Sequence, residues 1–213
     1  MSSRTPTVGF GEALLECARN FFPGYQRFTP EMAQSVSRGH IGLKHPVILG
    51  NPAVKAIAGR LSQFGTRSLK DLGVSVVTPV ETRAISHIKG ISYLDLYNAY
   101  EEFAEQHSYR INGSIEKLDR FDNSRRRRGS LSFLVFSLDR NTTKILVQER
   151  TEFLGSIGCA TAFKNYTPHI TIGLTPHRGV ATAISASFEA NGLERDPLTV
   201  LSAVPIVGQV DRG

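Results

Sequence analysis

Apolar residues along the chain recur in two rhythms, about 3.6 and about 2 residues, and the switches between them mark short helices and strands. Ala13, Leu14, Ala18, Phe21 and Phe22 predict a helix over 12–22, stopped by Pro23-Gly24. A second short helix is expected after Thr29, with Pro30 in its first position. Residues 39–49 read as extended, interrupted by Pro46. Asn51-Pro52 then opens a helix over 52–64, with Val54, Ile57, Ala58 and Leu61 on one face and Gly65 at its end.

Strands are expected at 74–77 and 83–91. Residues 93–107 form a helix whose face carries Leu94, Leu96, Tyr97, Tyr100, Phe103 and Ala104, with Glu101, Glu102 and Glu105 away from it. A strand at 109–118 leads into an arginine-rich loop. The run LSFLVFSL at 131–138 reads as a buried strand. A helix over 141–157, a strand over 168–174, a helix over 181–190 and a last strand over 198–207 follow. Pro205 places that last strand at an edge. Helices alternate with short strands, which is the α/β or α+β class rather than all-β. Residues 1–38 read as a helical extension, 39–207 as the main domain and 208–213 as a tail.

Composition narrows this picture. The chain has 213 residues and 40% apolar content, enough for a core. Cys17 and Cys159 permit at most one disulfide and make no Cys-x-x-Cys pair, so a reducing, cytoplasmic setting is expected and a cysteine-built zinc site is not. No apolar run approaches the ~18 residues that span a bilayer. No secretory h-region is visible over residues 1–10, and no membrane partner is expected. The chain carries 25 Lys+Arg against 19 Asp+Glu, a net +6, with pI about 9.5. Residues 110–128 hold seven basic residues against three acidic, a net +4. Such a balance favours anionic partners.

Chemistry is suggested by the histidines. His40-Ile41-Gly42-Leu43, His87-Ile88-Lys89-Gly90 and His169-Ile170-Thr171-Ile172 share a spelling. On strands, His169 and Thr171 would share one face and His87 and Lys89 another, with Ile88 and Ile170 turned into a core. One strand histidine alone is more often structural than catalytic. Two of them supply what phosphoryl acid/base chemistry needs. One imidazole accepts a proton from the nucleophile, and the other donates to the leaving oxygen. A hydroxyl or ammonium two residues on can hold phosphate oxygens.

These residues resemble the 2H phosphoesterases, named for two His-x-Thr/Ser motifs on strands. Thr167-Pro168-His169-Ile170-Thr171-Ile172 is similar to the family's Pro-His-apolar-Thr-apolar motif. His87 stands where the first histidine is expected, with Lys89 in place of the hydroxyl residue. The likeness covers residues 39–207. It implies an α+β, bilobed fold, two pseudo-symmetric sheet halves around a central cleft. His87 and His169 would face each other there, and Thr171 would bind the phosphate. It further implies a metal-independent phosphodiesterase without cofactor, acting on RNA or an oligonucleotide. The bond cleaved would be a 2′,3′-cyclic phosphate, a 2′-5′ linkage or a cyclic oligonucleotide, and two-histidine chemistry would give a bell-shaped pH dependence. Which histidine is base and which acid stays open.

Lys89 either binds phosphate as a point charge or marks a degenerate site. In the second case the chain is a non-catalytic RNA- or nucleotide-binding module of the same fold. Arg125, Arg126, Arg127 and Arg128 are either a solvated loop or a grip on the phosphate backbone, one that adds affinity without sequence choice. Of the remaining histidines, His40 reads as structural or at the rim, His45 as a loop residue, His177 as a loop residue within reach of substrate or without a role there, and His107 as a helix terminus.

Overall fold

The computed structural model describes residues 36–60, 67–68, 72–122, 132–160, 166–175 and 178–207. In chain order the elements are β1 (Ile41–Leu49), α1 (Pro52–Arg60), β2 (Arg67–Ser68), β3 (Gly73–Val77), α2 (Pro79–Lys89), α3 (Tyr93–Gln106), β4 (Ile111–Asp122), β5 (Ser132–Leu138), α4 (Arg140–Ser156), β6 (His169–Thr175), α5 (Arg178–Ala190), β7 (Pro197–Val200) and β8 (Val204–Val207). The chain divides into two compact units. One comprises residues 1–45, 77–110 and 201–213, and the other residues 46–76 and 111–200. The expected helices at 12–22 and after Thr29 lie outside the described residues.

The first unit pairs the start of β1 antiparallel with β8, with Leu43 opposite Pro205. Helix α3 packs on β8 through its buried face of Leu96, Tyr97, Tyr100, Phe103 and Ala104. Leu94, expected on that face, is instead 49% exposed. Helix α2 meets α3 through a 2.7 Å hydrogen bond between the hydroxyls of Thr82 and Tyr100. Gly39 has φ 73°, and a Cβ there would strike the Tyr93 ring.

Three expectations are corrected in this unit. Residues 83–91 are not a strand, because helix α2 occupies most of them. Thr78 Oγ1 accepts from the Glu81 amide at 3.2 Å, and the Glu81 carboxylate accepts from the Thr78 amide at 2.9 Å. That reciprocal box, with Pro79 in the first turn, starts the helix, and Gly90 at φ 65° stops it. His45 is not in a loop. It is fully buried within β1, its Nδ1 2.7 Å from the Leu201 carbonyl. Residues 198–207 are two strands, broken where the Ser202 hydroxyl bonds both the amide and the carbonyl of Tyr109 at 2.9 Å.

In the second unit, the ladders β2–β6, β6–β5, β5–β4, β4–β7 and β7–β1 are all antiparallel, and β3 also joins β6. Alternation along β5 buries Leu134, Phe136 and Leu138 on one face, where α5 packs. The Phe188 ring lies 5.4 Å from that of Phe136, and the Ser185 hydroxyl donates to the Leu118 carbonyl at 2.8 Å. Helix α4 begins at Asp139, whose carboxylate accepts from the amides of Asn141 and Thr142. Its second oxygen accepts from the Ser114 amide at 2.8 Å and the Thr142 hydroxyl at 2.7 Å. A Cβ on Gly113 would collide with Thr142 Oγ1, so glycine lets the first turn of α4 close onto β4. Cys159 is a buried free thiol. Cys17 lies outside the described residues.

Candidate functional site

The site grows from the register of β4, β5 and β6. Ser137 stands opposite His169, Phe136 opposite Ile170 and Val135 opposite Thr171. One strand further, Lys117, Leu118 and Asp119 stand opposite Ser137, Phe136 and Val135. Residues in register project to the same face of an antiparallel sheet. Ile170, Phe136 and Leu118 therefore share the face that α5 covers, and all three are buried. The opposite face carries two rows, His169–Ser137–Lys117 and Thr171–Val135–Asp119. His169, Thr171, Ser137 and Asp119 are half-buried there, and Lys117 is exposed. The strands are about 4.8 Å apart, which sets the backbone of His169 roughly 10 Å from that of Lys117. Both side chains are long enough to reach one phosphate between them.

The chemical state of His169 follows from its contacts. Its Nδ1 lies 2.8 Å from the Thr167 carbonyl oxygen. A carbonyl can only accept, so Nδ1 carries the hydrogen and Nε2 of the neutral ring keeps its lone pair. Burial lowers the pKa below 6.5, and the bond to Thr167 offsets this only in part. The imidazole is therefore neutral at pH 7, with Nε2 ready to accept a proton. Phe121 packs against it in a T-shaped arrangement at 4.8 Å.

Lys117 Nζ lies 2.9 Å from Asp119 Oδ2. That bond and its charge raise the lysine pKa, keeping it an ammonium. Burial pushes the Asp119 carboxyl up, but the bonds from Lys117 and the Arg120 amide outweigh this and hold it below 3.8.

On the other side of β6, Val74 of β3 registers with Ile170, which brings Ser75 beside His169. Tyr166 donates its hydroxyl to the Ser75 carbonyl at 2.8 Å. The buried Arg150 donates to the Val76 carbonyl and lies 4.3 Å from the Tyr166 ring centroid. These bonds tie the segment leading into His169 to β3 and α4.

Of the residues expected from sequence, His169 and Thr171 share this face, as their i, i+2 spacing on a strand requires. His87 and Lys89 do not form the expected strand motif. They are exposed in the last turn of α2, in the first unit, where residues two apart point about 200° from each other. Ile88 is 60% exposed and turns into no core. Arg125–Arg128 and His177 lie outside the described residues. His107 caps α3, its Nδ1 2.9 Å from the Phe103 carbonyl. Ser137, Lys117, Asp119 and Ser75 were not singled out as site residues. Alternation along LSFLVFSL marks Ser137 as facing away from the core, but only the register brings it to His169.

Among the described residues no group of three or more His, Cys, Asp or Glu is placed to hold a metal ion, and no helix is long and apolar enough to cross a membrane.

No protein-family model matches the sequence, and no curated protein matches it. Among solved structures, the chain is similar to Usb1 of Kluyveromyces marxianus, at 10% identity and a TM-score of 0.47, over 80% of this chain and 95% of that one. It is also similar to the same protein with uridine monophosphate, at 12% identity and a TM-score of 0.46, with the same coverage.

Proposed function

We propose that the β4–β5–β6 face binds a phosphodiester and that His169 acts on it as general base, making the protein a phosphodiesterase of RNA or oligonucleotides. The observation that carries this reading is the state of His169: Nδ1 committed to Thr167, Nε2 unprotonated, and Thr171 and Lys117 on the same face. Nε2 takes the proton of the attacking water or ribose hydroxyl. The Thr171 hydroxyl and the Lys117 ammonium hold the non-bridging oxygens as charge builds on them. Ser137 stands between His169 and Lys117 and offers a further hydroxyl. The Arg125–Arg128 run adds sequence-independent grip on a polyanion. The chemistry uses no cofactor. His87 and Lys89 take no part in this reading, because the strand on which they would share a face is a helix.

The test is turnover of a panel of 2′,3′-cyclic nucleotides, 2′-5′ oligoadenylates and cyclic dinucleotides in the presence of EDTA. Activity that survives the chelator and is lost in His169→Ala supports the reading. Full activity in His169→Ala refutes it.

A second reading, a non-catalytic RNA-binding module, is favoured by one observation. Among the described residues of the second unit, His169 is the one histidine. Salt-sensitive RNA binding without turnover of any panel member would select it.

A further inference from the structure

Among the described residues, Arg195 is the one non-glycine with a left-handed backbone, at φ 68°. It sits where the ladder between β4 and β7 runs on past Pro197. The Arg195 amide donates to the Ile115 carbonyl at 2.7 Å, and the Ile115 amide donates to the Asp196 carbonyl at 3.0 Å. Two residues thus oppose one, a bulge whose left-handed position is ordinarily glycine. The Asp196 carboxylate accepts from the Asn51 side chain at 3.0 Å, which fixes the bulge against the start of α1. Glycine would hold this backbone without strain, whereas a residue with a Cβ adopts it at a cost. Strain of that kind gathers at residues whose side chains bind or react.

Alternation puts Arg195 on the face of His169. Leu198 stands opposite Gly113, two residues from Ile115, and Ile115 stands opposite Leu138 on the side that α5 covers. Leu198 and Val200 are buried on that side, so Pro197, and Arg195 two residues before it, fall on the other. Both are exposed. Arg195 therefore stands one strand beyond Lys117, roughly 15 Å from the backbone of His169. That is too far for one phosphate to touch both, and it suits neighbouring phosphates of one strand.

We propose that Arg195 holds a second phosphate of an oligonucleotide whose scissile phosphate lies between His169 and Lys117. This rests on the phosphodiesterase reading above and narrows its substrate to a chain with at least one phosphate beyond the bond that is cut. The guanidinium presents a planar fork to two phosphate oxygens and stays charged at any working pH. It touches the backbone of the strand and selects no base.

The test is calorimetric titration of penta-uridylate and of uridine monophosphate into His169→Ala protein, so that neither ligand is consumed, at about 50–200 mM salt. Arg195→Gly and Lys144→Ala are added to that background; Lys144 is exposed on α4 and carries the same charge. Arg195→Gly should weaken the pentanucleotide about tenfold and reduce its salt slope by about 0.7, the share of one phosphate contact, while the mononucleotide changes less than about twofold. Its Tm should hold or rise by about 2–4 °C as the left-handed strain is released. An unchanged pentanucleotide affinity, an equal loss for both ligands, an equal loss in Lys144→Ala, or a fall in Tm overturns the proposal. Wild-type turnover of penta-uridylate ending in a 2′,3′-cyclic phosphate separates the two levels. No turnover with Arg195-dependent binding overturns the phosphodiesterase reading and leaves the second phosphate site standing. Turnover with binding that ignores Arg195 does the reverse, and binding of neither ligand overturns both.

Discussion

Replacing Asp139 by Ala should destabilise the second unit more than an ordinary helix cap does. Its carboxylate accepts four hydrogen bonds: from the amides of Asn141 and Thr142 at 3.0 Å each, the Ser114 amide at 2.8 Å and the Thr142 hydroxyl at 2.7 Å. The first two cap α4, and the Ser114 bond pins α4 to β4 just before the irregularity between Ile115 and Lys117. A lost cap costs about 1 kcal/mol, and a bond to a charged group about 1.5–3 kcal/mol, so the non-additive total is about 3 kcal/mol. For a chain of this size each kcal/mol moves Tm by roughly 3 °C, which predicts a fall of about 9 °C at pH 7. Asp139→Asn keeps one oxygen for the cap and should lose roughly half as much. The pH dependence has a fixed sign. Burial pushes this carboxyl up, but the bonds from Thr142, Ser114 and Asn141 outweigh it and hold the pKa below 3.8. The contribution is therefore present above the unfolded pKa and lost as pH falls through the folded one. Thermal melts of the three proteins at pH 7 and pH 2.5 measure both effects. A difference under about 2 °C between wild type and Asp139→Ala at pH 7 would refute the assigned role.

His169 has the same linkage sign as Asp139, but burial rather than hydrogen bonding causes it. Its folded pKa is depressed, so its neutral form adds stability above about 6.5 that is lost as pH falls through the folded value. His169→Gln should flatten the fall in stability between pH 7 and 5, seen in urea melts at each pH; an unchanged slope contradicts the burial. Phe136→Ala should cost about 3–5 kcal/mol, since the ring is fully buried against Phe188; a loss under about 1 kcal/mol in the same melts would mean α5 is not seated on β5. Thr78→Ala removes the capping box of α2 and should cost about 1 kcal/mol, while Thr78→Ser should cost little; equal effects of the two would deny the box.

Elements with a strong rhythm were legible in the sequence. The helix at 93–106, the buried strand at 132–138 and the strand opening at His169 match their expected positions within about two residues. Residues 83–91 are mostly helix although His87-Ile88-Lys89-Gly90 shares the spelling of the other His-Ile segments, because Thr78-Pro79-Val80-Glu81 spells a capping box. A start signal that fixes the backbone outweighs local resemblance between side chains. His87 and Lys89 lie on that helix and lose their shared face. His169 and Thr171 depend only on strand alternation, and they share a face of β6. Lys117, Ser137 and Ser75 join His169 through ladders that span up to about a hundred residues, and no local pattern encodes a register.

The central claim is that His169 is a neutral base with its Nε2 open to a phosphate, and its imidazole ¹⁵N resonances, followed by NMR from pH 4.5 to 8 with and without uridine monophosphate, test it most directly. The account predicts a pKa below 6.5, a neutral form protonated on Nδ1, and a shift of the Nε2 signal when the nucleotide is added. A pKa at or above 6.5 with Nε2 protonated in the neutral ring, and no response to the nucleotide, would contradict it.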